Sequence, residues 1–461
     1  MVATVPQALL NSLQEVPGFD EAAFNAVHQS GAQVTTIRIN PKKWSVEKAQ
    51  AHAPFAIAAN VPWSQYGFYL SHRPSFTFDP LFHAGCYYVQ EASSLFLEQA
   101  LLQTTDLAQP LNVLDVCAAP GGKTTHLQSL LSPDSLLVSN DVIRNRVQVL
   151  KQNCIKWGSE NVVVTNNDPQ HLGRLDGFFD VLVVDAPCSG SGLFRRDADA
   201  IAEWSLDAVQ LCCGRQKRIL ADVLPALKEG GLLVYSTCSY SVEEDEAIGD
   251  WLLQEMGLET IHLQVNQDWN IVETVSEKRS ANGYRFFPDK VQGEGFYLAA
   301  FRKKESGAAS RLKEAKLEHA TATEKAALQK WVTDGAMEFF SFPHLYALSK
   351  NFVSRYAVLK NYLNVQYAGV ALGEVIRDKL VPEHALALST VLAPQVPVTN
   401  VDFKTAIQYL QRLDSNIDTN VKGWQVVAYN GHNLGWINAL PNRINNYYPK
   451  DWRILKQTSP F

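Results

Sequence analysis

Between residues 110 and 303 the chain alternates apolar, β-branched runs with stretches of helical spacing, and this alternation restricts the fold more than any other feature. Strands are expected over 112–117, 136–141, 161–166, 179–185 and 231–236, and helices over 123–131, 143–157, 206–228 and 243–256. Repetition of strand and helix gives a mostly parallel sheet with helices on both faces, joined by right-handed crossovers. The fourth run is the most apolar, and Val181 to Val184 reads as a strand buried on both sides. It ends in Asp185-Ala-Pro-Cys-Ser-Gly190: an acid, a proline, a thiol and a small-residue turn. Open α/β sheets bind ligands beyond the carboxyl ends of their strands, so Asp185 and Cys188 stand where chemistry is expected. Runs over 283–287 and 295–302 follow as a hairpin-like pair, one strand closing an edge of the sheet antiparallel.

The other strand ends are as informative. The first runs into Cys117, Ala118, Ala119, Pro120, Gly121, Gly122 and Lys123. Glycines there let a ligand approach the backbone, and the helix that follows offers free amides. The first glycine of a phosphate-wrapping GxxxxGK[ST] loop would fall at Cys117, and GxGxxG is missing too, so nucleotide triphosphates and dinucleotides fit poorly. The second strand ends at Asp141, about 20 residues beyond the glycine turn, placed to accept ribose hydroxyls. The third ends near Asp168, placed to meet an adenine edge. Three such positions in register point to a nucleoside cofactor without a pyrophosphate. The fourth and fifth strands both end in thiols, Cys188 and Cys238, flanked by small or polar residues. Cys86, Cys154, Cys212 and Cys213 lie on helical or apolar stretches and read as small core residues.

Charge and composition bear on partners. The formal net charge is −6, but residues 306–461 carry 17 Lys/Arg and 12 Asp/Glu, a net +5 that suits phosphate contacts. Seven scattered cysteines without a CxxC pair argue against a zinc site or a disulfide framework, and so for reduced thiols in a cytoplasm. No metal is expected. No apolar run reaches the ~18 residues of a membrane span, and residues 1–10 lack the pattern of a secretory signal. Residues 1–79 read as a small α+β unit with one alternating strand, 34–40. The polar stretch around Lys303-Lys-Glu-Ser-Gly307 reads as a linker. Short strands and a hairpin at Asn430-Gly431 mark a mixed or β-rich C-terminal unit.

The three strand-end motifs, Cys-Ala-Ala-Pro-Gly-Gly-Lys (117–123), Asp-Ala-Pro-Cys-Ser-Gly (185–190) and Ser-Thr-Cys-Ser (236–239), taken in this order, resemble the NOL1/NOP2/Sun family of RNA cytosine-5 methyltransferases. The resemblance extends upstream to Tyr87-Tyr-Val-Gln-Glu-Ala-Ser-Ser94. Beyond the core the chain is similar to the family's bacterial RsmF-like branch, which methylates 16S ribosomal RNA. It shares Leu372-Gly-Glu374, His384-Ala-Leu386, Leu434-Gly-Trp436 and Asn446-Tyr-Tyr-Pro449 with that branch's PUA-like module, and differs in closing on Asp451-Trp-Arg453 instead of a glycine-containing basic tail.

The resemblance implies a Rossmann-like class I methyltransferase core with a mostly parallel seven-stranded sheet over 80–305. A ferredoxin-like RNA-binding subdomain over 1–79 precedes it. A linker and intermediate domain over 306–380 and a PUA-like RNA-binding domain over 381–461 follow. It implies S-adenosylmethionine as cofactor, bordered by 117–123, Asp141, Asp168 and Asp185, and a monomer acting on RNA, naked or in the small ribosomal subunit. Carbon 5 of cytosine is too weak a nucleophile to take the methyl group until a thiolate adds to carbon 6. The residues alone leave either thiol open for that role. The resemblance assigns it to Cys238, with Cys188 assisting release and Asp185 holding the ring-nitrogen edge. Lys123 is a candidate to activate the thiolate, and Phe194-Arg195-Arg196 a candidate RNA-backbone contact. The alternatives are methylation of transfer RNA or another ribosomal RNA, and a non-catalytic RNA-binding assembly factor. An adenine amino-methyltransferase would want Pro-Pro-aromatic after the strand-end acid. A DNA cytosine-5 enzyme would need no Cys238.

Overall fold

Five parallel strands form the centre of the molecule. In spatial order they are Leu227–Thr237, Phe179–Asp185, Asn112–Asp115, Leu136–Asn140 and Val162–Thr165. The chain steps outward from Asn112–Asp115 through two strands, then returns to lay Phe179–Asp185 on its other side. That reversal opens a crevice at the carboxyl ends of Asn112–Asp115 and Phe179–Asp185, where the glycine turn and Asp185 lie. The computed structural model describes all residues except 1–3, 305–310, 334, 336, 342–343, 414–416 and 457–461. The expected linker therefore falls partly outside the described residues.

The strands are apolar on both sides because both sides are covered. Leu114, Val163, Leu182, Val184 and Tyr235 pack with Ile219, Leu220 and Val223 of the helix Leu206–Val223. Val113, Leu137, Val162, Val181 and Val183 pack with Leu127, Val147 and Leu150 from Gly122–Leu130 and Arg144–Trp157. The helix expected over 206–228 stops at Val223, where Pro225 removes an amide donor, and the fifth strand starts at Leu227, ahead of residue 231.

Antiparallel strands widen the sheet from the seven expected to ten. Phe296–Lys303 pairs with Leu227–Thr237, followed by Asn282–Phe286 and Val272–Val275, while Leu258–Ile261 also joins Phe296–Lys303. At the far edge Val365–Ala368, from the C-terminal half, pairs antiparallel with Val162–Thr165. The three strands beyond the expected seven, Leu258–Ile261, Val272–Val275 and Val365–Ala368, are four-residue runs with no periodicity of their own.

Three four-stranded sheets flank the core. The N-terminal one is antiparallel, in the order Ile57–Asn60, Gly67–Leu70, Thr36–Ile39, Tyr87–Val89, so it takes its last strand from beyond residue 79. The second joins Met337–Ser341, Leu345–Ser349, Val370–Ile376 and Lys379–Pro382. The third joins Val398–Val401, Gly423–Tyr429, His432–Leu440 and Arg443–Asn446, with the Asn430-Gly431 turn in its central hairpin. In this unit Trp436 Nε1–H donates to the Glu383 carbonyl, and the His384 ring meets Tyr448 and Trp452 edge-on at 5.3 and 5.0 Å. Among the described residues no helix is long and apolar enough to cross a membrane.

Candidate active site

The strand ends are locked together before any ligand arrives. The Asn140 side-chain amide donates to the carbonyls of Val116 and Asn167 at 3.2 and 2.9 Å. Its oxygen accepts from the Asn167 amide and the Thr165 hydroxyl, both at 2.9 Å. One buried side chain thus ties the first, second and third strands. Beside it the glycine turn passes a cis Ala119–Pro120 peptide and reaches Gly121 at φ +111°, a left-handed conformation that favours glycine, before the helix Gly122–Leu130 begins.

That helix start is held from the N-terminal sheet. Arg38, fully buried on Thr36–Ile39, donates to the Gly122 and Thr125 carbonyls and to the hydroxyls of Thr125 and Ser129. Its Nε–H goes to Gln90, and its guanidinium lies 4.5 Å from the Trp157 ring centre. Burial lowers its pKa to about 9, which leaves it cationic at neutral pH. The 1–79 segment was expected as a small α+β, RNA-binding subdomain. It also carries the brace of the glycine turn, through partners 52 to 91 residues away that no local pattern announces.

Carboxylates surround this turn. Asp141 is buried, and its oxygens accept from the amides of Ala119 and Ile143. Asp185, with its side chain 37% exposed, accepts from Lys123 Nζ at 2.7 Å and from the Ser236 hydroxyl at 2.8 Å. Lys123 also lies 5.1 Å from the Phe296 ring. Its charge is therefore directed to Asp185, a correction to the expectation that it serves a thiol. Asp115, not singled out from the sequence, lies buried beneath the turn and accepts from the Thr124 hydroxyl at 2.7 Å. Burial pushes its carboxyl up to about 7. The sequence signal was available: an acid inside an otherwise apolar strand. Burial, and then Asp141, Asp115 and Asp185, push the Cys117 thiol up, so it stays protonated. Such a negative setting is complementary to a ligand bearing sulfonium and ammonium charges.

Asp168 stands at the third strand end, but its carboxylate caps Pro169–Gly173 through the Gln170 amide and lies 3.5 Å from Arg218. The strand end itself is occupied by Asn166 and Asn167, which bond back to Asp141, Val142 and Asn140. Val142 and Ile143, 57% and 49% exposed, follow Asp141 and offer an apolar surface for a flat ring; a pair of aliphatic residues after a strand-end acid was the signal passed over.

The two thiols meet. Cys188 Sγ and Cys238 Sγ are 2.9 Å apart and half-buried, and all seven cysteines are free. Their loops are stitched by backbone: Ala186 N–H donates to the Ser236 carbonyl, Gly192 N–H to the Cys238 carbonyl, and Tyr240 N–H to Ser191 Oγ. The flanks of Cys238 are fixed too. Thr237 Oγ1 donates to Asp245, and buried Arg285 bonds Glu246 and the Tyr240 carbonyl. The hydrogen bond shared with Cys238, then burial, hold the Cys188 thiol protonated.

One expectation fails on geometry. Arg195 was expected to contact RNA, yet its side chain is 5% exposed, donates to the carbonyls of Gly293 and Ala32, and lies 3.6 Å from Glu294. Phe194 is buried against Trp204. Only Arg196 of the trio is exposed.

Comparisons with known proteins extend along most of the chain. Residues 102–302 match the family described as 16S rRNA methyltransferase RsmB/F, residues 5–92 the N-terminal domain of 16S rRNA methyltransferase RsmF, and residues 396–454 the methyltransferase RsmF PUA domain. The ribosomal RNA small subunit methyltransferase F of Shewanella sp. (strain MR-4) is 31% identical over 423 residues, 85% of this chain and 84% of the relative. That of Shewanella oneidensis is 29% identical over 490 residues, 98% of this chain and 97% of the relative. Among solved structures, a methyltransferase homolog protein from Pyrococcus horikoshii is 30% identical, with a TM-score of 0.52 over 65% of this chain and 100% of that one. NSun6 from Pyrococcus horikoshii with SFG shares the fold at 18% identity, with a TM-score of 0.55 over 66% of this chain and 100% of that one.

Proposed function

The chain belongs to the ribosomal RNA small subunit methyltransferase F family, and from that membership we propose that it methylates carbon 5 of a cytosine in 16S ribosomal RNA through a covalent adduct on Cys238. The observation that carries this reading is the pair of free sulfurs, 2.9 Å apart, at the ends of the adjacent strands Phe179–Asp185 and Leu227–Thr237, next to Asp185. One thiol suffices to form an adduct, and the second has a use when the adduct must be undone.

The cofactor is S-adenosylmethionine, which supplies an electrophilic methyl group. A solved structure with the same fold carries its analogue SFG, and the Asp141 and Asp185 carboxylates beside Cys117 suit a cationic ligand. Cys117 to Lys123, Asp141 and Asp185 border it, and Val142 and Ile143 offer its adenine an apolar surface. Asp168 stays at the rim with its carboxylate on Arg218.

Cys238 adds as thiolate to carbon 6 of the target base, which must first leave its stack. Asp185 faces the ring-nitrogen edge, with the Lys123 side chain paired to its carboxylate. After methylation the carbon 5 proton is lost to solvent water, the carbon 5–carbon 6 double bond re-forms, and the bond to Cys238 breaks with its electron pair left on the sulfur as thiolate. The protonated Cys188 lies against the departing sulfur and stabilises it. Phosphate contacts come from the basic C-terminal region, where Arg412, Arg443, Tyr447 and Lys450 line a groove of about 900 Å³.

Bisulfite sequencing of 16S ribosomal RNA from cells with and without the gene tests this reading. One or more cytosines lose protection when the gene is deleted. An unchanged bisulfite pattern overturns it.

A further inference from the structure

One buried carboxylate holds both thiol loops. Glu244 is fully buried in the turn before the helix Glu246–Glu255, and the Tyr235 hydroxyl donates to its backbone carbonyl at 2.7 Å. Its Oε1 accepts from the Ser189 amide at 2.9 Å and from Gln216 Nε2 at 3.1 Å. Its Oε2 accepts from Ser189 Oγ at 2.5 Å and from Ser239 Oγ at 2.6 Å. Ser189 directly follows Cys188, and Ser239 directly follows Cys238. Gln216 completes the bracket, because the same Nε2 also reaches the Pro187 carbonyl at 3.1 Å, on the other side of Cys188.

A carboxylate is costly to bury without partners, and here all four partners are neutral donors. A hydroxyl or amide could not accept so many bonds at once. With its oxygens so engaged, Glu244 faces the loops and not the sulfurs. We propose that Glu244 is a positioning residue: a clamp that sets Cys188 against Cys238, so that the thiol assisting release lies on the sulfur that must leave. The role in release rests on the cytosine-5 reading above, whereas the clamp itself is a matter of geometry. A negative charge here also favours the proton on Cys188, in keeping with a thiol that assists the departing sulfur.

The test reads the clamp without RNA. Diamide oxidises two adjacent thiols: both lose their protons, one S–S bond forms, and the diazene is reduced to the hydrazine. The rate of Cys188–Cys238 disulfide formation, mapped by peptide mass, is measured in wild type, Glu244→Ala, Glu244→Gln, Ser189→Ala and Ser239→Ala, alongside thermal melting and single-turnover methylation of 16S ribosomal RNA. Glu244→Ala slows disulfide formation and methyl transfer at least about tenfold, since misplacing a reacting group by about 1 Å costs on that scale. Glu244→Gln recovers most of both rates, because an amide still accepts from the Ser189 amide and Gln216 while its NH₂ group donates to the two serine hydroxyls. Each serine variant, which removes a single tie, falls between, and these two carry the test if Glu244→Ala does not fold. Wild-type disulfide rates in Glu244→Ala, or in both serine variants, overturn the clamp, and so does a Glu244→Gln protein as impaired as Glu244→Ala. If wild type methylates no cytosine while the disulfide rates fall in the expected order, the clamp stands and the methylation reading fails.

Discussion

Gly192 and Cys238 touch backbone to backbone: the Gly192 amide donates to the Cys238 carbonyl at 2.9 Å, and a Cβ on Gly192 would lie 2.8 Å from that same oxygen. The turn that carries one thiol is thus seated on the residue that carries the other.

Gly192→Ala follows directly. The added methyl group would also meet the Gly295 carbonyl oxygen at 2.5 Å, so its neighbours are backbone atoms that cannot swing aside. Overpacking of this kind costs about 1–3 kcal/mol, and we expect a loss of that order in urea unfolding. Methyl transfer falls further than stability explains, because the loops separate. Wild-type turnover in a folded Gly192→Ala protein would show that the contact does not set the thiols.

The thiols have different fates when removed. On the proposed roles, Cys188→Ala is expected to accumulate a covalent protein–RNA adduct that survives denaturing electrophoresis, because the expelled sulfur would lose its partner. Cys238→Ala forms no adduct. The reverse pattern would exchange the two roles.

Arg38→Leu separates the brace from the chemistry. The change removes the guanidinium donors to the Gly122 and Thr125 carbonyls, which still accept from the hydroxyls of Thr125 and Ser129, and losing a hydrogen bond to a charged group costs about 1.5–3 kcal/mol. The expected outcome is lower stability together with weaker S-adenosylmethionine binding in calorimetric titration. Cys188 and Cys238, which share no hydrogen bond with Arg38, should still form their disulfide at the wild-type rate once the protein is folded. Unchanged cofactor affinity would show that the glycine turn keeps its shape without Arg38.

Asp115 predicts a pH dependence. Its carboxyl has an ordinary value of 3.8, and burial raises it to about 7 in the folded chain. Between these values the folded protein keeps a proton that the unfolded chain has released. Stability contributed by this group is therefore full below about pH 4 and falls as pH rises to about 7, by at most ~1.4 kcal/mol per unit. Asp115→Asn keeps the acceptor for Thr124 and removes the titration. Urea midpoints at about pH 5 and about pH 8 should differ less in Asp115→Asn than in wild type. Equal differences would place the Asp115 proton elsewhere.

The parallel centre of the fold was legible because each strand is a continuous apolar run and each helix announces itself by spacing. The thiols and Asp185 were legible for a related reason: strand ends gather chemistry, and Cys188 and Cys238 sit one place past small polar residues or a proline. What stayed hidden depends on distance along the chain. Arg38 looks like any strand arginine until residues 122–129 fold against it. Arg195 looks like a surface cation until Glu294 and the Gly293 carbonyl are beside it. Glu244 lies in an acidic run, Glu243-Glu-Asp245, that reads as solvated, yet it is buried because four donors from three other segments close over it.

The strand Val365–Ala368 has a consequence for how the protein is made. It caps Val162–Thr165, which would otherwise be an open sheet edge of unpaired amides and carbonyls, a template for pairing with other chains. During synthesis that edge emerges long before its cover does, so the catalytic half must wait uncapped until the chain has been translated through Ala368. A fragment ending at residue 305 would keep every residue of the proposed active site and still be prone to self-association, whereas one ending after Ala368 would not expose this edge.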